Sequence, residues 1–195
     1  MAKKNQLTTS DYLEYPEYER LLTLLHQDKE YLWELYARIA FCTACRVSDV
    51  LSIKWKDILN RDIATITEQK TEKTRSIRFN KSVIKKLNEL YVLLGSPCQE
   101  EYLFQTKRSN GAFTSQYINK KLKFFKYKYK INIENFSTHT FRKTFGRYVY
   151  EVNSKSAESL MILNKILNHS SITVTETYIG ITKDKIDNVY NSIKF

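Results

Sequence analysis

Four short stretches of the chain group the side chains that phosphoryl transfer needs. They are Cys45–Leu51, Gln69–Arg75, His139–Arg142 and Leu167–His169, and Tyr178 follows the last of them by nine residues. Guanidinium groups hold phosphate oxygens without losing their protons, while ammonium, imidazole and phenol groups transfer protons or attack. The chemistry that these residue types favour is attack on a phosphodiester.

Arg46 and Arg142 are the candidate anion-holding pair. Attack on a phosphodiester builds negative charge on the two non-bridging oxygens, which guanidinium groups can hold bidentately. An arginine after a buried helix is more often part of a structural ion pair, and Asp49 stands where such a partner, or an acid in a first helical turn, would be found. Residue type alone leaves these interpretations open.

Lys70 and Lys73 lie in a polar stretch that predicts a turn. The 5′ oxygen of deoxyribose leaves poorly without a proton, and a lysine whose pKa is lowered by neighbouring cations can supply one. Either lysine could do so. An exposed turn lysine without a catalytic role is the simpler explanation of each.

The chain has three histidines, and two of them, His139 and His169, fall within the four stretches, whereas His26 does not. Imidazole can accept a proton or donate a hydrogen bond near neutral pH. Tyr178 is one of fourteen tyrosines, most of which we expect to be packing residues. Only its position, nine residues after His169, distinguishes Tyr178 from the other tyrosines as a candidate nucleophile.

The order and spacing of these stretches resemble the active-site signature of the tyrosine recombinases, the phage-integrase class, from about residue 10 to the end of the chain. The stretches are similar, in order, to the Arg-x-x-Glu/Asp box, the hairpin lysine followed by threonine, the His-x-x-Arg box and the Leu-Gly-His box with its tyrosine. The resemblance implies a site-specific recombinase or integrase that cleaves and rejoins DNA through a 3′-phosphotyrosyl intermediate, with no metal, ATP or other cofactor. It implies the catalytic residues Arg46, Lys70, His139, Arg142, His169 and Tyr178, with Asp49 in support.

Within that resemblance Lys70 is favoured over Lys73 as general acid, and Tyr178 is the nucleophile. We assign His139 the proton-accepting role and His169 the positioning of an oxygen. Two glycines of the family pattern are replaced, by Ala44 and by Asn168. Asparagine tolerates a left-handed helix end, whereas Ala44 would be strained at a positive φ.

The charge balance favours DNA as the partner. The formal net charge is +11, and lysine or arginine contacts to phosphates release condensed counterions. We expect a protein that binds double-stranded DNA and self-associates on it as a dimer or tetramer, with no small-molecule cofactor. The expected DNA contacts are Lys73, Arg75, Lys120, Lys123, Lys126 and Lys143.

The segment from Lys120 to Lys130 alternates lysines with Phe124, Phe125, Tyr127 and Tyr129. As a helix it is expected to carry aromatic anchors inward and lysines toward solvent or phosphate. An amphipathic surface helix without a nucleic-acid role explains the pattern equally well.

No stretch approaches the length of a membrane span and the start lacks a signal peptide's apolar run, so we expect a cytoplasmic, nucleoid-associated prokaryotic protein without a membrane partner. We expect the three cysteines to be reduced thiols. Cys42-x-x-Cys45 lacks the second ligand pair of a metal site, and no phosphate-binding glycine loop is present. The remaining alternatives are a topoisomerase-like nicking and closing enzyme of type IB and a non-catalytic DNA-binding protein of the same fold.

The hydrophobic pattern predicts a mainly α fold with a small antiparallel β-hairpin, an α+β class. Ser82 is expected to cap the helix that Gly95 ends. Strands are expected at Ile63–Thr67 and Arg75–Phe79, with a further short one at Tyr102–Phe104. Helices are expected over 16–25, 31–44, 47–53, 82–94, 114–129, 139–152, 157–167 and 182–193.

We expect residues 1–195 to form a single catalytic domain, without the N-terminal core-binding domain that relatives carry. The last predicted helix has an apolar stripe of Ile186, Val189, Tyr190 and Ile193. A helix this short is not stable unpacked, so the stripe is expected to dock either on its own domain or on a neighbouring protomer.

Overall fold

A computed structural model describes residues 10–106 and 111–194. In chain order the elements are α1 (Tyr15–Gln27), α2 (Tyr31–Thr43), α3 (Val47–Leu51), α4 (Trp55–Ile58), β1 (Ile63–Thr67), β2 (Thr74–Arg78), α5 (Lys81–Leu93), α6 (Ser115–Lys128), α7 (Thr140–Val152), α8 (Ala157–Leu167), α9 (Ile172–Tyr178) and α10 (Ile181–Asn191). The predicted mainly helical α+β fold is confirmed.

The hairpin is confirmed close to its predicted bounds. β1 and β2 pair antiparallel, with Ile63 opposite Arg78 and Thr67 opposite Thr74. The Glu68 N–H donates to the Lys73 carbonyl oxygen at 2.9 Å, which extends the pairing to the tip. The tip therefore presents residues 69–72 at the end of a two-stranded ribbon.

Two details around the hairpin were wrong. The cap of α5 is Asn80, whose side chain accepts from the Val83 N–H, and not Ser82, which lies inside the helix. The stretch at 102–104 is no strand, because Tyr102 makes only an isolated bridge with Lys54.

Two short helices were not predicted, for different reasons. α4 has four residues, which is too few for helical periodicity to be visible. α9 has the sequence Ile-Thr-Val-Thr-Glu-Thr-Tyr, rich in β-branched residues that favour strands. It is helical because Ser171 caps its first turn by accepting from the Val174 N–H, and because Thr175 is fully buried.

The buried side chains form two clusters of unequal size. The larger joins α1 to α7 and the hairpin and contains the aromatic residues Trp55, Tyr36, Phe104, Phe125 and Phe141. The smaller contains Ala44, Leu160, Leu163, Leu167, Ile179 and Ile181 and lies where α7, α8 and α9 meet the end of α2. Among the described helices, none is long and apolar enough to cross a membrane.

Candidate active site

Arg142 lies in the first turn of α7, is 3% exposed, and connects two helix ends. Its Nη1 donates to the Ala44 carbonyl oxygen and its Nη2 to the Leu167 carbonyl oxygen, each at 2.5 Å. The last carbonyls of a helix have no partner within the helix, and the guanidinium supplies one to α2 and to α8. The site is thus built where three helices converge.

The two residues that replace glycines of the family pattern, Ala44 and Asn168, lie at these helix ends. Asn168 has a φ of 50° and Ala44 a φ of 49°, both in the left-handed region. The expectation for Asn168 is confirmed, and Ala44 adopts the conformation that is costly for a residue with a Cβ. Ala44 is fully buried in the smaller cluster, and that packing offsets the strain.

Arg46 stands directly before α3, with 22% of its side chain exposed. Its Nη1 donates to Glu68 Oε2 at 2.8 Å. Asp49 is not its salt-bridge partner. The Asp49 carboxylate accepts from the backbone N–H of Arg46 at 3.2 Å and of Gln69 at 2.9 Å, so it joins the start of α3 to the hairpin tip.

Arg75, which we expected to contact DNA, points toward the buried Glu68 and the end of α2. Its Nη1 lies 3.4 Å from Glu68 Oε1, and its Nη2 donates to the Thr43 carbonyl oxygen at 3.3 Å. Only 18% of its side chain is exposed. These contacts favour a structural role, and a contact with DNA stays a prediction.

Lys70 and Lys73 are both exposed on the hairpin tip. Neither ammonium group makes a hydrogen bond or ion pair with another residue in the ranges 10–106 and 111–194. Two hydrogen bonds anchor the tip. The Gln69 N–H donates to the Asp49 carboxylate, and the Thr71 hydroxyl donates to Glu68 Oε2 at 2.8 Å. Lys70 thus extends from an anchored turn with its amine free to meet a substrate.

His139 stands directly before the first residue of α7, three residues from Arg142. Burial lowers its pKa below the ordinary value, and the charges of Arg142, Lys143 and Arg46 lower it further. The imidazole is therefore neutral at pH 7 and can accept a proton. It also lines an open cavity of about 460 Å³ whose other lining residues include Asn119, Ser137 and Thr138.

His169 follows the left-handed end of α8. Burial lowers its pKa, and the charges of Arg142 and Arg46 bring it down to about 4. Its Nδ1 lies 3.1 Å from the Thr175 hydroxyl, which also accepts from Asn164 Nδ2 at 3.2 Å. Because Thr175 engages Nδ1, Nε2 is the nitrogen left to face a substrate.

Tyr178 is the last residue of α9, and its ring packs edge-on against His169 with 4.9 Å between centroids. Its hydroxyl is buried and makes no hydrogen bond of acceptable geometry with the described residues. Burial raises the pKa of this phenol, although the Arg142 guanidinium, which lies close enough to act on the hydroxyl both as a charge and as a donor, and the Arg46 charge lower it. The Lys143 Nζ lies 5.1 Å from the ring centroid, so this expected DNA contact lies beside the tyrosine.

The α6 lysines are arranged only partly as expected. Lys120 and Lys123 are exposed, while the Lys126 Nζ donates to the Glu134 carbonyl oxygen at 2.7 Å. Phe125 and Tyr129 are buried, but Phe124 is 51% and Tyr127 is 67% exposed. The expectation of inward aromatic anchors was wrong for these two, because Phe124 lies about 100° and Tyr127 about 200° around the helix from buried Phe125, outside the face that the helix buries.

Glu68 and Thr175 are the site residues that sequence reasoning missed. The period-two pattern of β1 places Ala64 and Ile66 on the buried face, and Glu68 is the next residue of that series. A carboxylate on a buried face requires cationic partners, and this signal could have found it. Thr175 gave no comparable signal, because the composition of its segment does not indicate a helix.

The Phage integrase family model matches residues 11–185. A probable integrase/recombinase of Bacillus subtilis (strain 168), YoeC, is 33% identical over 171 residues, which cover 85% of this chain and 90% of the relative.

Two solved structures are similar in fold. The XerH site-specific recombinase, in a post-cleavage complex with a palindromic difH substrate, matches with a TM-score of 0.70 and 18% identity over 93% of this chain. A lambda integrase(75-356) dimer bound to a COC′ core site matches with a TM-score of 0.64 and 19% identity over 92% of this chain. The chain spans 53% of the XerH chain and 62% of the lambda integrase chain.

Proposed function

The chain belongs to the phage integrase family of DNA recombinases, and we propose that Tyr178 is the nucleophile with which it cleaves and rejoins DNA strands. The single observation that carries this assignment is the surroundings of the Tyr178 hydroxyl. Arg142, as a hydrogen-bond donor and as a charge, and Arg46, as a charge, act to lower the pKa of the hydroxyl, which is buried, and the His169 ring packs against it. A buried phenol with unused hydrogen-bonding capacity beside cations is suited to attack on an anion.

In the proposed reaction the Tyr178 oxygen bonds to the scissile phosphorus, and the bond to the 5′ oxygen breaks. His139, neutral at pH 7, accepts the phenolic proton, and Lys70 donates a proton to the departing 5′ oxygen. The guanidinium groups of Arg46 and Arg142 stabilise the charge on the non-bridging oxygens, and His169 presents Nε2 to position one of them. The product is a 3′-phosphotyrosine and a free 5′ hydroxyl, and rejoining reverses each step.

The energy of the broken ester is retained in the phosphotyrosine, so the rejoining step needs no ATP. Charge stabilisation by side chains likewise removes the need for a metal ion. We therefore propose a reaction without cofactors.

Double-stranded DNA is the proposed substrate and partner. Support comes from the net charge of +11, from the exposed Lys120 and Lys123 on α6, and from the DNA complexes of the XerH and lambda integrase structures. We propose that the described residues act as one catalytic unit at the nucleoid of a prokaryotic cell.

We propose that the protein assembles on DNA through α10. The start of this helix is tied to its own domain by buried Ile181 and by an ion pair between Arg147 and Asp184. The apolar stripe is not docked on the described part of its own domain, since its members are exposed: Ile186 51%, Val189 64%, Tyr190 70% and Ile193 55%. An exposed stripe of this kind favours burial against a second copy.

Truncation tests the role of α10. Deleting the residues after Thr182 is expected to leave a folded protein that binds DNA but assembles and exchanges strands poorly. The matched control replaces exposed polar residues of the same helix, Asp187 and Asn188, with alanine. Sedimentation of the DNA complex beside a recombination assay gives the answer, and a truncated protein that assembles and recombines like the full chain contradicts the proposal.

A nicked suicide substrate tests the proposed function. Cleavage beside the nick releases a short fragment and traps the protein on DNA as a covalent adduct, which survives denaturing electrophoresis. We expect the adduct to form at an unchanged rate in excess EDTA. Binding without adduct formation would support the non-catalytic alternative, and an adduct that forms only after metal is restored would contradict the cofactor-free mechanism.

A further inference from the structure

The carboxylate of Glu68 is fully buried at the centre of the site and joins several of its segments. Its Oε2 accepts from Arg46 Nη1 at 2.8 Å, from the Thr71 hydroxyl at 2.8 Å and from Asn168 Nδ2 at 3.2 Å. Its Oε1 lies 3.4 Å from Arg75 Nη1. The four partners come from the start of α3, the hairpin tip, the end of α8 and β2.

One of these partners is a proposed catalytic residue, and two others are next to proposed catalytic residues in the sequence. Arg46 is a proposed phosphate ligand, Thr71 follows Lys70 in the tip, and Asn168 precedes His169. Movement of any one segment would lengthen a hydrogen bond to Glu68. The carboxylate therefore couples the positions of a cation, a proton donor and an oxygen ligand.

The carboxylate carries its charge at neutral pH. Burial raises the pKa of Glu68, but hydrogen bonds from Thr71, Arg46 and Asn168 lower it more, to about 2. A negative charge beside a phosphate site is unfavourable for binding the substrate, so its presence calls for a compensating role. Without it, the Arg46 and Arg75 guanidinium groups would repel each other, and the Arg46 side chain would lose the carboxylate that orients it.

We propose that Glu68 is a positioning residue of the cleavage reaction, which fixes the Arg46 guanidinium at the scissile phosphate and holds the Lys70 tip against the end of α8. This inference rests on the proposed function, because the phosphate ligand and the proton donor are assigned there. Glu68 acts through its partners and has no contact with the reacting atoms.

The chain offers a matched control for a purely structural ion pair. Glu34 on α2 is also fully buried, and its carboxylate accepts from Arg38 Nε at 2.8 Å and contacts His26 Nδ1 at 2.7 Å. None of these three residues belongs to the site. Glu34→Gln thus measures what the loss of a buried, paired carboxylate costs elsewhere in the same fold.

The experiment compares single-turnover adduct formation on the suicide substrate by Glu68→Gln and Glu34→Gln. We expect Glu68→Gln to cleave about 100-fold more slowly than wild type at saturating protein, a loss typical of a displaced catalytic group. Glu34→Gln is expected to cleave at close to the wild-type rate, even where both variants show the same loss of thermal stability. Equal rates for the two variants would overturn the proposal.

A double-mutant cycle separates positioning from general destabilisation. In an Arg46→Ala background, Glu68→Gln is expected to have only a small effect, because the group it positions is gone. A structural role would reduce the rate by the same factor in both backgrounds, and that result contradicts the inference.

A second variant and the wild-type control distinguish failure of the Glu68 proposal from failure of the proposed function. If Glu68→Gln does not fold, Thr71→Val removes one hydrogen bond to the charged carboxylate and is expected to slow cleavage about tenfold, and an unchanged rate overturns the proposal. Failure of the wild-type protein to form an adduct would count against the proposed function itself, whereas a wild-type adduct with equal variant rates counts against Glu68 alone.

Discussion

The two halves of the site are held in different ways. The cation frame, formed by Arg46, Arg75, Arg142 and Glu68, is tied to backbone carbonyls and side chains at the ends of α2 and α8. The nucleophile segment, residues 172–191, rests on the smaller apolar cluster through Ile179 and Ile181. Its tyrosine hydroxyl makes no hydrogen bond of full geometry with the described residues, and the far half of α10 is exposed.

The cation frame is therefore preorganised, whereas the nucleophile segment is the part whose position can be controlled. Catalytic cations are most effective when they need no rearrangement during the reaction, and the frame is assembled without DNA. The far part of the nucleophile segment is exposed, so shifting it removes little apolar surface from burial. In the proposed assembly, contacts between protomers at α10 therefore act on the tyrosine without disturbing the proposed phosphate ligands.

Among the substitutions that leave the nucleophile in place, the largest effect is expected at Lys70, on the hairpin tip next to the cation frame. Lys70→Ala should slow cleavage about 10²- to 10⁴-fold, the range expected when a general acid is removed. A substrate with a 5′-bridging phosphorothiolate should recover much of that rate, because sulfur leaves without a proton. Lys73→Ala is the matched control on the same tip and should cleave nearly normally.

The phosphorothiolate result decides between the two lysines. Recovery by Lys70→Ala makes Lys70 the proton donor. If Lys70→Ala is not recovered, or if Lys73→Ala shows the larger defect, the assignment of the general acid is wrong.

Gly146 tests the nucleophile segment alone. A Cβ at this position on α7 would lie 2.6 Å from Ile179 Cγ2, so Gly146→Ala must push Ile179, and with it the adjoining Tyr178. We expect DNA binding to be retained and cleavage to fall about 10- to 100-fold, as for a misplaced reacting group.

Gly95→Ala is the control for Gly146→Ala. Gly95 has a φ of +86° with no atom near its would-be Cβ, so the replacement strains the backbone far from the site. Gly95→Ala should reduce stability and keep the wild-type cleavage rate. Equal cleavage by the two variants at saturating protein would mean that the packing of Ile179 does not position the tyrosine.

The sequence predicted the elements that have long periodic patterns and the site residues that stand in motifs. It anticipated the left-handed Asn168, because an asparagine there follows a helix. It missed α9, where burial of Thr175 overrides a strand-like composition. It also missed Glu68, because the partners of a buried carboxylate come from distant segments, as Arg46 and Asn168 do. Tertiary contacts determine both features.

The smallest effect is expected outside both halves, on α6. Replacing Lys123 and Lys126 together with alanine should weaken DNA binding and make its log–log salt dependence shallower by about 0.9 for each phosphate that the variant no longer binds. The control pair is Lys81 and Lys85, exposed lysines on α5. An unchanged slope in the α6 variant would make α6 an ordinary amphipathic surface helix.

The identity of the nucleophile is the central claim, and peptide mapping of the trapped adduct tests it most directly. After nuclease and protease digestion, mass spectrometry is expected to find the nucleotide on Tyr178, and Tyr178→Phe should bind DNA but form no adduct. Tyr150→Phe, a control at a tyrosine packed against the same small cluster, should form the adduct normally. A nucleotide on any other residue, or an adduct that persists in Tyr178→Phe, would contradict the account.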